Sequence, residues 1–248
     1  MNLLKIAIIS DIHSNLEALE AVEQDVCNQK VDVIHCLGDI VGYGPFPAEC
    51  LSLVRSLCKE ILKGNHEDSV CDPKKGEEEL NDHALEAINF SREKLEKKTI
   101  DFLSQLKEKV VLENLEMTLC HGAFTEPSVW KYIDSESLAE KELAKTPTKI
   151  CVIGHTHNPF VFDSEAGLHE YLPDNLELDL DQKYLINVGS VGQPRDGDCR
   201  ASYGIFEIKE DKVIFSLQRV FYDISETEKF MKKFKLPPFL SERLFRGD

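Results

Sequence analysis

The first 62 residues alternate short apolar runs with stretches of helical periodicity, and this alternation limits the possible folds more than any other feature. The apolar runs lie at residues 3–9, 31–37 and 60–62, and the helical stretches end near residues 29 and 58. An almost continuous apolar run predicts a strand buried on both faces, which is typical of parallel sheets. Strand–helix–strand repeats predict parallel βαβ units with right-handed crossovers. We therefore expect an α/β protein.

Local signals place the helix starts in this region. Ser14 and Glu17 have the spacing of a capping box, and Pro47 suits the first turn of a helix. His35 lies inside the second predicted strand and is expected to be a hydrogen-bonded core residue.

The remainder of the chain divides into a helical middle and a largely β second half. Residues 77–109 are rich in Glu, Lys, Leu and Ala and predict two helices separated near residues 98–99. Two hairpins are predicted later, from residues 160–163 with 168–172 and from residues 201–208 with 213–222. We expect one domain over residues 1–248, in which residues 77–109 form a helical insertion that borders the active site.

The charge of the chain argues against a nucleic-acid polymer as its partner. The net charge is -16 and the sequence pI is about 5.0, so the average field of the protein repels a polyanion. A small anionic substrate stays compatible with this charge, because bound divalent cations can invert the local field. The apolar stretches are too short to span a bilayer, and no membrane partner is expected.

The cysteine pattern predicts reduced thiols in a cytoplasmic protein. No two cysteines form a C-x-x-C pair, and the chain opens directly into a strand-like run without the pattern of a signal peptide. The eight cysteines are Cys27, Cys36, Cys50, Cys58, Cys71, Cys120, Cys151 and Cys199.

Polar side chains of one chemical type follow five of the predicted strands. They are Asp11 and His13, Asp39, Asn65 and His66, His121, and finally His155 and His157. Ligands of open α/β sheets bind outside the carboxyl ends of the strands. We therefore expect these side chains to converge on one crevice.

The residue types at these positions suit metal ligation. Carboxylate oxygen, amide oxygen and neutral imidazole nitrogen are ligands for first-row divalent metals such as Mn, Fe or Zn. No cysteine stands at the same positions, which argues against a structural zinc site. A carboxylate such as that of Asp39 can bridge two ions, and two ions can clamp a phosphate and activate a water.

The five motifs, in this order, resemble those of the calcineurin-like metallophosphoesterases. The family pattern is D-x-H, G-D, G-N-H-[ED], H-G and G-H-x-H, and all five motifs are present here. The segments from Gly38 to Pro45 and from Asn187 to Arg195 resemble the small bacterial and archaeal phosphodiesterase branch. The resemblance extends over residues 3–222. It implies a four-layer αββα sandwich of two mixed β-sheets flanked by helices.

The resemblance also implies roles for single residues. One metal would take Asp11, His13, Asp39 and His157, and the other would take Asp39, Asn65, His121 and His155. His66 would be catalytic: it would contact the phosphate and protonate the leaving alkoxide rather than bind a metal. The implied enzyme is a metal-dependent phosphoesterase acting on phosphodiesters or nucleotides, in which a metal-bridging hydroxide attacks. Manganese is favoured, with Fe, Zn, Ni or Mg as alternatives.

Several alternatives stay open at this point. A protein phosphatase or a dinucleoside polyphosphate hydrolase would share all five motifs, and a non-catalytic metal-binding scaffold such as the retromer subunit shares the fold. The retention of His66 and of every ligand argues against the scaffold. Arg195 would face a phosphate or form a surface ion pair. The sequence predicts no oligomeric state.

Overall fold

The structure is a computed structural model that describes residues 3–169, 174–210 and 212–248. Its strands are β1 (Leu4–Ile9), β2 (Val33–Cys36), β3 (Cys58–Ile61), β4 (Lys109–Leu112), β5 (Met117–Cys120), β6 (Ile150–Ile153), β7 (Phe160–Asp163), β8 (Gly167–Leu168), β9 (Leu176–Leu178), β10 (Tyr184–Asn187), β11 (Ala201–Lys209) and β12 (Lys212–Val220). Its α-helices are α1 (Leu16–Asn28), α2 (Pro47–Leu57), α3 (Asn65–Cys71), α4 (Pro73–Glu79), α5 (Asp82–Lys94), α6 (Lys97–Ser104), α7 (Glu136–Leu143), α8 (Ile224–Lys233) and α9 (Pro238–Glu242).

The described strands form two mixed sheets of six strands each. The first sheet has the order β3-β2-β1-β11-β12-β9, and the second has the order β4-β5-β6-β10-β7-β8. In the first sheet β1, β2 and β3 are parallel, as the alternation of strands and helices predicts, and β11 joins β1 in the antiparallel sense. In the second sheet β5, β6 and β10 are parallel. The fold is therefore the αββα sandwich that the resemblance implies.

The apolar runs are continuous because the central strands are covered on both faces. In β1, Ile6 and Ile8 belong to the core between the two sheets, whereas Ala7 and Ile9 pack against the helices outside the first sheet. Successive side chains of a strand point to opposite faces, so a strand buried on both sides must be apolar at every position.

Helices cover the outer face of each sheet. Leu19 and Val22 of α1 and Val54 of α2 belong to the same buried cluster as the outer face of β1. On the second sheet, Leu143 of α7 packs with Ile153 of β6. The four layers place the carboxyl ends of β1, β2, β5 and β6 where loops from both sheets can meet. No helix among the described residues is long and apolar enough to cross a membrane.

The expectations for the start of α1 and for His35 of β2 are wrong in detail. The cap of α1 is Asn15, whose side chain accepts a hydrogen bond from the Ala18 N–H at 3.2 Å, and not Ser14. The N–H of Ser14 instead donates to the carbonyl of Ile40 at 2.8 Å, so Ser14 belongs to the loop that follows β1. His35 is buried as expected, but its Nδ1 has no hydrogen-bond partner in the described part of the chain.

The helical middle of the chain is broken at a different place from the one expected. The boundary falls at residues 95–96, between α5 and α6, and not at residues 98–99. Leu95 follows the last residue of α5 and belongs to the core cluster outside the first sheet, where it is 7% exposed. The further helix α4 begins at Pro73 and is capped by Asp72, whose side chain accepts from the Lys74 N–H at 3.0 Å.

The later hairpins agree with expectation as far as they are described. The pairing of β11 with β12 extends from Ala201 opposite Val220 to Lys209 opposite Lys212. The pairing of β7 with β8 places Asp163 opposite Gly167. Residues 170–172 of the predicted strand 168–172 lie outside the described residues.

Candidate metal centre

The loops after four strands, together with the start of one helix, deliver the predicted ligands to one place. Asp11 and His13 follow β1, and Asp39 follows β2. The predicted ligands from the other elements are Asn65 at the first position of α3, His121 directly after β5, and His155 and His157 after β6. Because β1 and β2 belong to the first sheet and β5 and β6 to the second, both sheets contribute to the site.

Five of these seven residues have a left-handed backbone conformation. The φ angles are 55° for Asp11, 49° for His13, 50° for Asp39, 66° for His155 and 61° for His157. Residues other than glycine rarely adopt positive φ, and such strain clusters at functional sites. Asp and His are several-fold enriched among the non-glycine residues with positive φ, but this preference does not single out these five positions in the sequence.

The first group of ligand atoms is formed by Asp11, His13 and His157, with Asp39 beside them. The Asp11 Oδ1 lies 3.2 Å from the His157 Nε2. The Nε2 atoms of His13 and His157 are 3.0 Å apart. The Asp39 Oδ2 lies 3.8 Å from the His13 Nε2. The ligand atoms of Asp11, His13 and His157 lie within 4.8 Å of one another, which is close enough to share one ion.

The second group contains Asp39, Asn65, His121 and His155. The same Asp39 Oδ2 lies 3.3 Å from the His121 Nε2. The His121 Nε2 is 3.1 Å from the His155 Nδ1 and 3.3 Å from the Asn65 Oδ1. One oxygen of Asp39 therefore faces both groups, and a carboxylate in such a position can bridge two ions.

Main-chain carbonyls hold three of the histidines so that a defined nitrogen is left for an ion. The His13 Nδ1 contacts the Val41 carbonyl oxygen at 3.3 Å, and the His157 Nδ1 contacts that of Gln193 at 2.6 Å. The His155 Nε2 contacts the Trp130 carbonyl oxygen at 2.8 Å. A carbonyl can only accept, so each contacting nitrogen carries the proton and the other nitrogen has a free lone pair.

Asp11 and Asp39 are also held by the main chain, through one carboxylate oxygen each. The Asp11 Oδ2 accepts the His155 N–H at 2.9 Å, and the Asp39 Oδ1 accepts the His66 N–H at 2.9 Å. The second oxygen of each residue faces the ring nitrogens, and the buried Asp11 Oδ1 has no hydrogen-bond partner among the described residues. An acceptor-only atom in this position fits a cation. The donor set therefore fits divalent metal ions.

The electrostatics of the centre keep the aspartates charged. Burial raises the pKa of Asp11 and Asp39, but the surrounding histidines outweigh it and hold both pKa values well below the usual range. Burial lowers the pKa of His155 to about 4 and that of His157 to about 3, so both rings are neutral, as ligation requires. Burial also opposes the charged form of His121, but Asp39 and Asp11 raise its pKa to about 9.

His66 lies at the edge of both groups and lines the cleft above them. Its ring centroid is 4.6 Å from that of His13 and 4.6 Å from that of Tyr43, and its Nε2 is 3.9 Å from the Asp39 Oδ2. A ring nitrogen of His66 lies near enough to His13 and Asp39 to form a third ligand group with them. Burial lowers the pKa of His66 to about 3.

Two glycines allow the loops to come this close. A Cβ on Gly42, which has φ of 87°, would lie 2.1 Å from the His66 Nδ1. A Cβ on Gly64 would lie 2.1 Å from the Asp39 Oδ1. Any side chain at either position would therefore displace a residue of the centre.

Glu67 is a residue of the centre to which the sequence assigned no role. Its carboxylate is fully buried and accepts the N–H groups of Asp39, Ile40, Val41 and Gly64 at 2.7, 2.7, 3.2 and 2.8 Å. Burial and the neighbouring Asp39 raise the pKa of Glu67, whereas the N–H donors favour its charged form. The side chain thus holds the loop that carries Asp39 against the start of α3. The sequence signal for this role is the position of Glu67 three residues after the cap Gly64, where a Glu side chain can accept a main-chain N–H of the helix start.

A cleft of about 380 Å³ opens over the centre. Its lining combines ligand residues with aromatic and apolar side chains, and consists of Asp39, Tyr43, Asn65, His66, Leu80, Asn81, Ala84, Val129, Trp130, Tyr132, His155, His157 and Arg195. The guanidinium carbon of Arg195 lies 5.9 Å from the centre of the Tyr43 ring, and an Nη2 donates to the Gln193 Oε1 at 3.0 Å. No carboxylate of the described residues lies within ion-pair distance of Arg195, whose buried Nε has no partner among them. The surface ion pair is thus not formed there.

Comparison with known proteins gives one consistent family. Residues 4–211 match the calcineurin-like phosphoesterase superfamily domain. An uncharacterised protein of Methanocaldococcus jannaschii is 40% identical over 250 residues, which cover 98% of this chain and 98% of that protein.

Two solved structures share the fold over nearly the whole length. The metallophosphoesterase of Sphaerobacter thermophilus has a TM-score of 0.85 and 37% identity, with 100% of both chains covered. A hypothetical protein of Pyrococcus horikoshii has a TM-score of 0.79 and 18% identity, with 99% of both chains covered.

Proposed function

The chain belongs to the calcineurin-like phosphoesterase superfamily, and from this membership we propose that it hydrolyses phosphodiesters or nucleotides at a centre of two divalent metal ions. Its family and its structural relative make it a hydrolase that acts on phosphoester bonds. The observation that carries the finer proposal is the Asp39 Oδ2, which faces both groups of ligand atoms.

We assign the ligands as the resemblance implies. Asp11, His13, Asp39 and His157 would hold one ion, and Asp39, Asn65, His121 and His155 would hold the other. Manganese is the metal we favour, and nitrogen and oxygen ligands without a thiolate are compatible with it as with Fe or Zn. When bound, the two ions would lower the pKa of a water between them and neutralise charge on the phosphoryl oxygens.

His66 is the residue to which we assign the proton transfer to the leaving oxygen. It lines the cleft, and its Nδ1 has no hydrogen-bond partner among the described residues. Burial favours the neutral ring, and the negative charge of a bound phosphate next to the ring would favour its protonated form. A proton donor of this kind contributes most when the leaving group is poor.

Arg195 would orient the substrate from the other side of the cleft. The protein has a net charge of -16, yet no carboxylate of the described residues pairs with this half-buried guanidinium. A guanidinium that no carboxylate neutralises, beside a site for phosphate, is suited to binding a non-bridging phosphoryl oxygen.

We also propose that residues 1–248 form one domain and that residues 77–109 are an insertion that selects substrates. Leu80, Asn81 and Ala84 line the cleft, and the Ser91 hydroxyl accepts the Gly42 N–H at 3.1 Å. The C-terminal helices share a buried cluster with α5 through Ala87 and residues such as Met231 and Leu240. These contacts support a position of the insertion between the cleft and the end of the chain.

A substrate panel tests the proposal. The protein should be reconstituted with Mn and assayed with phosphomonoesters, phosphodiesters, dinucleoside polyphosphates and a phosphopeptide. We expect turnover of diesters or nucleotides that is lost in Asp39→Asn. Turnover confined to the phosphopeptide would instead identify a protein phosphatase, and no turnover of any ester would favour a scaffold.

A further inference from the structure

One wall of the cleft is apolar although the site below it is charged. Val129 is 54% exposed and Tyr132 is 49% exposed, and both line the cleft. Leu80 and Ala84, from the helical insertion, line the same cleft. Large apolar side chains that remain exposed inside a binding cleft mark the place where an apolar part of a ligand is bound.

Tyr132 is held as a flat platform beside the centre. Its ring stacks on that of His155, with 4.1 Å between the centroids and 14° between the planes. His155 is in turn fixed by its contact with the Trp130 carbonyl oxygen at 2.8 Å. An aromatic ring with one face packed and about half of its surface exposed can take a second planar group at little cost in conformational entropy.

The lining of the cleft combines groups of different chemistry. Tyr132 stacks on His155, whereas Arg195, whose main-chain N–H donates to the His157 carbonyl at 3.3 Å, brings a guanidinium. His155 and His157 belong to different ligand groups. Asn81 is exposed in the cleft, and its Nδ2 makes no hydrogen bond to the described residues. A ligand with an anionic group, a planar apolar group and polar atoms on the edge of that group matches this lining.

We propose that Tyr132 and Val129 form a stacking subsite for the nucleobase of a nucleoside phosphoester, with Asn81 placed to meet the edge of the base. This inference rests on the proposed function and narrows its substrate class. Nucleobases stack on aromatic side chains whatever their identity, so the subsite predicts a preference for nucleotides over sugar phosphates rather than for one base.

Adenosine 5′-monophosphate and ribose 5-phosphate test the base, because they share the ribose and the phosphate and differ at C1′, where the free sugar has a hydroxyl group in place of the base. Their dissociation constants for the Mn-loaded protein should be measured by calorimetry, and intact ligand should be recovered afterwards. Stacking of one base should make adenosine 5′-monophosphate bind about 5- to 150-fold more tightly. Tyr132→Ala should reduce this ratio towards one, and Tyr132→Phe should keep it. The dissociation constant of ribose 5-phosphate and the Mn content should be unchanged in both variants.

One control variant and one second measurement separate the subsite from other effects. Phe221→Ala removes an aromatic side chain that is 79% exposed and does not line the cleft, so it should leave the ratio unchanged. Trp130 is the single tryptophan of the chain and lines the cleft, so its fluorescence gives a second measurement of nucleotide binding in metal-free protein.

A ratio near one in the wild type, or a ratio that Tyr132→Ala does not lower, overturns the subsite. A high ratio that depends on Tyr132 in a protein that hydrolyses no ester would support the subsite and refute the proposed function alone. If neither ligand binds and no ester is hydrolysed, both the subsite and the proposed function are refuted.

Discussion

Replacement of Glu67 by Gln should destabilise the protein far more than an isosteric change usually does. The Glu67 Oε2 accepts the N–H groups of Asp39 and Gly64, and its Oε1 accepts those of two further residues, Ile40 and Val41. A glutamine has one acceptor oxygen, so two of these buried N–H groups would face an amide NH2. Each unpaired buried donor costs about 1–3 kcal/mol, and we therefore expect a loss of about 2–6 kcal/mol in the free energy of unfolding.

The measurement is urea denaturation of the metal-free protein, with Asp68→Asn as the matched control. Asp68 is on the same helix and undergoes the same change of charge, but it is only partly buried and pairs with Lys75 and the Trp130 indole N–H. The control should lose no more than about 1 kcal/mol. Equal unfolding midpoints and slopes for the two variants would refute the role of Glu67 in holding the loop that carries Asp39.

Three further predictions follow from other parts of the molecule. His66→Gln should keep the fold and the full metal content but lower kcat by about 10²–10⁴-fold for an alkyl ester. The loss of kcat should be smaller for a nitrophenyl ester, which needs less protonation of the leaving group. Loss of a metal in this variant would make His66 a ligand. All eight cysteines are free thiols in the structure, so thiol titration of denatured, unreduced protein should find eight, and a stable loss of two or more would contradict the expectation of reduced thiols in a cytoplasmic protein. Burial lowers the pKa of His35 in the folded protein. As the pH falls below about 6.5, His35 is therefore protonated in the unfolded chain before it is protonated in the folded chain, and the folded state loses stability. His35→Gln should therefore lose less free energy of unfolding than the wild type between about pH 7 and pH 5, and an equal loss would contradict this.

The architecture was predictable because its strongest signals are local and periodic. β1 is apolar at successive positions because it is buried on two faces, and α1 has helical periodicity because it is buried on one face. The start of α4 at Pro73 was missed, since the helical stretch was expected to begin at residue 77, although Asp72 followed by a proline is a local signal for a helix start. The break after α5 was not predictable, because it depends on where Leu95 reaches the core, which is a tertiary property.

The candidate site was predictable in its residue types but not in its geometry. Positions at the ends of strands indicated that Asp11 and His121 would come together. No pattern indicated the left-handed backbone of Asp11, which is set by contacts between distant loops such as the Asp11 N–H with the Gly38 carbonyl at 3.1 Å. Tyr132 was missed for a similar reason: only the folded chain places its ring on His155.

The number of metal ions per chain tests the two-metal proposal most directly. Elemental analysis after reconstitution with Mn should approach two ions per chain in the wild type. Asp39→Ala should disturb both sites and bind fewer than one ion, because the Asp39 Oδ2 faces both ligand groups. His13→Ala should keep one ion, since His13 belongs to one group. A fully reconstituted, active wild type with a single ion, or an Asp39→Ala variant that keeps two, would contradict the shared centre.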